Sequence, residues 1–176
     1  MALVTVLHDS APELGGLLDS IARHLPAAHL VVVDSGSRDR GPELARGWSG
    51  DSTVIELGEN VGFGRASNAG LDAVERPVTA VVNPDVELVD SSLEALSKEV
   101  MRRDRPERIL APLVLLPDGA RQDSAHHEPG SAADVVRAII PPRALPPQLR
   151  RLVEPWRADE PRRAGWAIGC CLVART

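Results

Sequence analysis

Short apolar runs alternate with helix-like patterns along the first two-thirds of the chain. Four of these runs predict strands, at residues 3–7, 30–33, 53–57 and 78–82. Between and after them, helices are predicted at residues 11–24, 42–47, 66–74 and 93–103. In the first, apolar residues recur three or four positions apart on one face, and Ser91 and Ser92 are natural N-caps for the last. Strand and helix alternation at this spacing predicts an α/β fold, with a doubly wound, mostly parallel sheet flanked by helices.

The alternation breaks after a fifth predicted strand at residues 109–116. The stretch from 118 to 163 is rich in Pro and Arg, and a helix predicted at 132–140 ends at the pair Pro141–Pro142. Residues 166–174 predict one more strand. We therefore expect an α/β ligand-binding domain over residues 1–125, a Pro/Arg-rich connection over 126–163 and a returning core strand over 164–176.

The composition narrows the class of protein. Hydrophobic residues make up 43% of the chain but aromatic residues only 2%, so the core must consist of Val, Leu, Ile and Ala, as in buried parallel sheets. The net charge of −5 provides no basic field for a polyanion and argues against nucleic acid as the main partner. The first residues lack a basic region before an apolar run, so we expect a cytoplasmic protein, with peripheral contact at the inner face of the plasma membrane left open.

Polar residues follow the predicted strands at the edge where ligands bind in open α/β sheets. Asp34 and Ser35 end the second strand, and a carboxylate there can accept a hydrogen bond from a base N–H or a ribose hydroxyl; a turn that caps the next helix is the alternative. The stretch 59–70 contains Gly62 and Gly64 at a predicted helix start, where free N–H groups suit phosphate, and Arg65 adds a cation. A simple glycine turn is equally consistent with that stretch.

The third polar element follows the fourth strand. Asn83 and Asp85 stand directly after it, with Glu87 two residues further on. Carboxylate oxygens at a strand end suit Mg²⁺ or Mn²⁺, because such ions bind through one or two carboxylates together with substrate phosphates. The alternative is an ordinary Asn-Pro turn followed by helix capping.

Two other groups of residues invite a functional interpretation. The pair His126–His127, with Asp123 and Glu128 nearby, has metal-ligating side chains but no regular spacing, so a polar loop is favoured. The arginines from 143 to 163 are interpreted as a solvated linker, with contact to anionic lipid or acceptor phosphates as the alternative.

Taken in order, the stretches 31–37, 59–70, 82–88 and 165–175 resemble a family-2-type glycosyltransferase of GT-A fold, in the branch that includes bacterial rhamnosyltransferases. The resemblance implies Mg²⁺ or Mn²⁺ as cofactor, with Asp85 as the expected metal ligand and Trp166 and Gly169 in the sugar pocket. It implies that the nucleotide is bound by Asp34, Ser35, Asn60, Gly62, Phe63, Arg65, Asn68 and Asn83.

The same resemblance implies a reaction. The family transfers a sugar with inversion from a nucleoside-diphosphate sugar, here dTDP-rhamnose or a UDP-sugar, to a lipid-linked or polysaccharide acceptor in bacterial cell-envelope synthesis. Its general base is expected beyond Thr176, and its acceptor region is expected to be absent from this chain. The residues around His8 depart from the family pattern, so no contact is assigned to His8.

Two other functions stay open from the sequence. One is a truncated, non-catalytic module that binds a nucleotide sugar or assembles with a partner. The other is a nucleotidyltransferase, which shares the layered fold but usually carries a basic, Gly-rich loop after its first strand; residues 8–16 contain no basic side chain apart from His8.

Overall fold

The computed structural model describes residues 1–104 and 106–176. They form two compact units, one of residues 1–112 with 169–176, the other of residues 113–168. The boundaries thus lie near 112 and 168, whereas the sequence predicts them near 125 and 163.

A five-stranded sheet organises the first unit. Its strands are β1 (Ala2–Leu7), β2 (His29–Asp34), β3 (Ser52–Glu56), β4 (Val78–Val82) and β7 (Cys171–Arg175). Their order across the sheet is β3-β2-β1-β4-β7. The first four are parallel and β7 pairs antiparallel with β4, which confirms the predicted mostly parallel sheet. The register places Leu7 opposite Asp34, so β1 and β2 end side by side.

Helices cover both faces of this sheet. They are α1 (Ala11–His24), α2 (Gly41–Gly47), α3 (Phe63–Asp72) and α4 (Ser92–Val100). Alternate residues of β1 face opposite sides: Leu3 and Leu7 join the larger core cluster with α1, α2 and α4, whereas Val4 and Val6 join the smaller cluster with α3. The sheet is therefore doubly wound, as the alternation of elements predicts.

The strand predicted at residues 109–116 is wrong. Only two isolated bridges occur there, Leu110 with Val173 and Leu115 with Arg121. Pro112 stands between them and has no N–H to donate to a ladder, and the boundary between the two units falls directly after it. The apolar run is thus divided between two units instead of forming one core strand.

The second unit is built from short elements. These are β5 (Ala125–His126), α5 (Ala132–Ile139), α6 (Pro147–Val153) and β6 (Trp166–Ala167), with short 3₁₀ turns at Pro142–Ala144 and Pro155–Arg157. β5 and β6 form a two-stranded antiparallel ribbon. The single strand predicted at 166–174 is therefore wrong: a turn at residues 169–170 separates β6 from β7, and the two belong to different sheets.

None of the helices in residues 1–104 and 106–176 is both long enough and apolar enough to cross a membrane.

Candidate functional site

A cavity of about 580 Å³ opens where β1, β2 and β4 end. Its lining comes mainly from the segments that follow these strands and from the start of α3, with Val6 of β1 and Glu13 of α1. The lining residues are Val6, His8, Asp9, Ser10, Glu13, Ser35, Asn60, Gly62, Phe63, Asn83, Pro84 and Asp85. The structure therefore brings together the three polar elements that the sequence places at strand ends.

Asp34 and Ser35 serve different contacts at the end of β2. Asp34 is buried, and its carboxylate accepts the backbone N–H of Ser37 at 3.1 Å, which is the contact of a turn residue. Ser35 is also buried and lines the cavity, where its hydroxyl accepts the backbone N–H of Val61 at 3.1 Å. The predicted contact of Asp34 with a nucleotide stays a prediction. Ser35 joins the end of β2 to residues 59–62, which we call the glycine loop.

The glycine loop of residues 59–62 lies directly against the β2 end. Gly36 has a φ of 73°, and a Cβ added to it would lie 2.8 Å from the backbone carbon of Glu59, so only glycine fits there. Within the loop, Asn60 Oδ1 accepts the backbone N–H of Gly62 at 2.9 Å. Gly62 has a φ of 82° and is the residue before α3, so the first N–H groups of α3 begin at the cavity.

His8 connects these two loops, a contact that sequence reasoning missed. Its Nδ1 lies 3.0 Å from the carbonyl oxygen of Ser35, and the side-chain nitrogen of Asn60 lies 3.0 Å from its Nε2. A carbonyl can only accept, so Nδ1 carries the proton and Nε2 accepts from Asn60. The neutral imidazole therefore holds both loops at the cavity wall.

Asp9 is a second lining residue that the sequence did not single out. Its φ of 53° is left-handed, which is uncommon outside glycine. Its carboxylate accepts the backbone N–H of Arg38 at 2.6 Å, and this hydrogen bond lowers the pKa of Asp9 below its usual range. Asp9 thus carries a negative charge at neutral pH and ties the β1 end to the β2 loop.

The segment Asn83–Asp85 follows β4 at the cavity. Asn83 is fixed by its backbone N–H, which donates to the carbonyl of Cys170 at 2.9 Å. Asp85 is exposed at the cavity and forms no ion pair or side-chain hydrogen bond with any residue that the structure describes. Burial raises the pKa of the Cys170 thiol, and the negative charge of Asp85 adds to that effect. The Asp85 carboxylate is therefore available to a ligand.

The donor set fits a shared metal ion better than a protein cage. Within the described part of the chain, no group of three His, Cys, Asp or Glu side chains is placed to hold a metal. Glu87 does not join Asp85, because its carboxylate lies against Gly16 of α1, 2.6 Å from where a Cβ would stand. A single carboxylate beside an open cavity matches Mg²⁺ or Mn²⁺ that takes its other ligands from a phosphate group and water.

Five predicted site residues lie outside the cavity lining, and the buried Asp34 is one of them. Arg65 and Asn68 are exposed on α3. Trp166 belongs to the second unit, where its ring stacks on that of His126 at 4.1 Å, and Gly169 belongs to the first unit. Their contacts with a nucleotide or sugar stay predictions.

The chain is similar to known sugar-transferring proteins. Residues 2–107 match the sequence model of the family described as Glycosyl transferase family 2. Over 196 aligned residues the chain is 29% identical to an N-acetylglucosaminyl-diphospho-decaprenol L-rhamnosyltransferase of Mycobacterium tuberculosis. That alignment covers 99% of this chain and 61% of the relative, so the chain spans about three-fifths of the relative's length.

Solved structures share the backbone arrangement. The mannosyltransferase PcManGT from Pyrobaculum calidifontis, in complex with GDP-Man and Mn²⁺, has a TM-score of 0.59 at 21% identity, covering 66% of this chain and 36% of that one. S. aureus TarS 1-349 in complex with UDP has a TM-score of 0.59 at 18% identity, covering 70% of this chain and 40% of that one. This likeness confirms the predicted GT-A fold.

Proposed function

The chain belongs to glycosyl transferase family 2, and on that premise we propose that its cavity binds a nucleoside-diphosphate sugar for transfer to a hydroxyl acceptor. The observation that carries the proposal is the convergence of Ser35, the start of α3 and the unpaired Asp85 on one cavity at the strand ends. The free N–H groups of α3 suit a phosphate. Phe63, half exposed at the same cavity, offers an apolar surface to a base or a sugar.

The charge of the cavity requires a cation. Three acids, Asp9, Glu13 and Asp85, line it, and none of the lining residues that the structure describes is Lys or Arg. A diphosphate placed among carboxylates is repelled unless a positive charge lies between them. We therefore propose that binding depends on Mg²⁺ or Mn²⁺ held by Asp85 and by the diphosphate oxygens.

The reaction that we propose is a single inverting displacement at the sugar carbon C1. The acceptor hydroxyl oxygen forms a bond to C1, the bond from C1 to the diphosphate oxygen breaks, and its electron pair leaves with the diphosphate. A bound Mg²⁺ or Mn²⁺ supplies positive charge that stabilises the leaving diphosphate. Within this chain, Asp85 would hold that ion beside the cavity, while His8 and Ser35 keep the surrounding loops in place. A carboxylate, not assigned to any described residue of this chain, takes the hydroxyl proton as general base.

The donor and the acceptor are proposed from the relatives. The mycobacterial relative is named an N-acetylglucosaminyl-diphospho-decaprenol L-rhamnosyltransferase, which supports a rhamnosyl donor and a lipid-linked acceptor here. We propose dTDP as the nucleotide of that donor. A UDP-sugar is the second choice, because a neighbour of the same fold binds UDP. None of the described lining residues is Lys or Arg, which weighs against a nucleotidyltransferase, because that class usually needs basic side chains beside its phosphates.

Donor binding tests this function most directly, since no described residue of this chain is assigned as the general base. The chain is titrated calorimetrically with dTDP-rhamnose and with UDP-sugars, with and without Mn²⁺. We expect saturable, Mn²⁺-dependent binding of one donor that weakens at least about tenfold in Asp85→Asn, because the carboxylate that would hold the ion is lost. The control is Asp72→Asn, an exposed aspartate at the end of α3. Binding that Asp85→Asn leaves unchanged, or no binding of any donor, contradicts the proposal.

A further inference from the structure

The second unit has its polar and apolar side chains arranged opposite to the usual pattern. In α5, Arg137 points to the interior of the unit, where its guanidinium lies 3.0 Å from an oxygen of Asp123 and 2.8 Å from Nδ1 of His126. The apolar residues Val135, Val136 and Ile139 lie on the other side of the helix, and Ile139 is 74% exposed. A surface helix normally buries its apolar stripe against the protein. Because α5 exposes this stripe instead, its exposed face suits an apolar environment.

The neighbouring helix α6 repeats this arrangement. Glu154, just after α6, is buried and accepts hydrogen bonds from Arg150 at 2.8 Å and from Arg157 at 2.5 Å. Leu149 and Leu152, three residues apart on one side of α6, are about half exposed. Since α5 and α6 contact each other, their exposed aliphatic side chains belong to neighbouring elements of one unit. We call the residues Val135, Val136, Ile139, Ile140, Leu149 and Leu152 the aliphatic surface.

The net charge of the residues around the aliphatic surface indicates which kind of apolar partner this surface suits. Residues 131–163 contain seven arginines and four acidic residues, a net charge of +3, and the second unit as a whole, residues 113–168, carries +1. The whole chain carries −5, so the remaining residues carry −8. Arg143 lies in the 3₁₀ turn between α5 and α6, is exposed, and forms no ion pair with any residue in the described part of the chain. Exposed aliphatic residues combined with local positive charge match the surface of an anionic bilayer, where the apolar groups enter the boundary region and arginines meet phosphate headgroups.

We propose that α5 and α6 lie on an anionic lipid bilayer through the aliphatic surface. This inference is independent of the proposed sugar transfer, because it rests only on the second unit. The exposed aliphatic side chains of Ile139 and Leu152 enter the boundary between headgroups and acyl chains. Arg143 adds an electrostatic attraction, which salt weakens by screening.

Vesicle sedimentation tests the proposal with the full chain. Vesicles of phosphatidylcholine alone are compared with vesicles of equal parts phosphatidylcholine and phosphatidylglycerol. We expect binding to the anionic vesicles, weaker binding to the neutral ones, and at least about a tenfold loss of binding in Ile139→Glu with Leu152→Glu, because both apolar insertions are lost. Arg143→Glu is expected to weaken binding several-fold, with a smaller effect in high salt.

Matched controls separate the aliphatic surface from general effects of charge. Val89→Glu with Ile109→Glu adds the same two charges at apolar residues of the first unit that are 69% and 67% exposed, and it is expected to bind vesicles nearly as the unmodified chain does. Arg103→Glu is the exposed control for Arg143→Glu. No binding to anionic vesicles, or equal loss in both double variants, overturns the proposal. A dimer in gel filtration that only Ile139→Glu with Leu152→Glu dissociates also overturns it, since the surface would then belong to a second copy.

Discussion

At the scale of single residues, the cavity depends on side chains that hold loops as well as on those that face a ligand. His8 is the clearest case: it donates from Nδ1 to Ser35 and accepts at Nε2 from Asn60, each at 3.0 Å. These contacts join the end of β1 to the β2 end and to the glycine loop. A loop that is held in place before binding loses less conformational entropy when a ligand arrives.

We predict that His8→Ala lowers the free energy of unfolding by about 1 kcal/mol, because it removes two side-chain hydrogen bonds at a partly exposed site. Nucleotide affinity should fall several-fold as well, since the glycine loop loses its tie to β1. Urea unfolding and nucleotide titration measure the two effects. His24→Ala, at the half-buried last residue of α1, is the control and should cost only a few tenths of a kcal/mol. Equal changes in unfolding free energy and nucleotide affinity in both variants would contradict a role of His8 in positioning these loops.

Part of the site was predictable from the residues alone. Asp85 and Ser35 stand at strand ends, and parallel strands bring their carboxyl ends to one edge, so their convergence followed from the fold. His8 could not be predicted in the same way, because its role depends on distances between three loops that no local pattern encodes. The only available signal was its position directly after β1.

At the scale of elements, α3 lies close to the sheet because one of its residues has no side chain. A Cβ added to Gly70 would stand 2.4 Å from Cγ1 of Val4 and 2.9 Å from Cγ2 of Val33. Both valines are fully buried in the smaller core cluster, so they have little room to move. The distance between α3 and the sheet sets where the first turn of α3 meets the cavity.

We predict opposite effects for two glycine substitutions in α3. Gly70→Ala should lower the free energy of unfolding by about 1–3 kcal/mol through overpacking. Gly64→Ala, where nothing lies within 4 Å of the added carbon, should leave it unchanged or raise it by up to about 1 kcal/mol, because alanine favours the helix. Thermal unfolding of both variants checks this. A shift of the same sign and size in both would mean that helix propensity, and not the close approach, decides stability.

The elements themselves were predictable where a whole run is buried on one sheet. The apolar runs of β1, β2 and β4 lie within the core, and their bounds differ from the prediction by at most one residue at either end. The run at 109–116 is equally apolar but does not form a strand. Pro112 interrupts its hydrogen bonding, and the boundary between the two units follows directly. Periodicity reports burial in general and does not indicate which of two units buries a residue.

At the scale of the whole molecule, opposite charges are concentrated in different parts of the chain. Asp9, Glu13 and Asp85 line the cavity of the first unit, and none of its described lining residues is Lys or Arg. Residues 131–163 of the second unit carry a net charge of +3. The acidic cavity would repel a diphosphate unless a cation lay between them. The net positive charge of residues 131–163 suits anionic lipid. Composition alone gives only the net charge of −5. This sum indicates neither the acidic cavity nor the positively charged segment.

The central claim is that the cavity binds a nucleoside diphosphate through a metal ion held by Asp85, and thermal unfolding tests it most directly. The chain, Asp85→Ala and the control Asp72→Ala are each heated with dTDP, UDP and GDP, with and without Mn²⁺. At a hundred times its dissociation constant, a ligand stabilises the folded state by about 2.7 kcal/mol, or roughly 5–10 °C for a chain of this size. We predict such a shift for one nucleotide, only with Mn²⁺, retained in Asp72→Ala and lost in Asp85→Ala. No shift with any nucleotide, or a shift that Asp85→Ala retains, would contradict the claim.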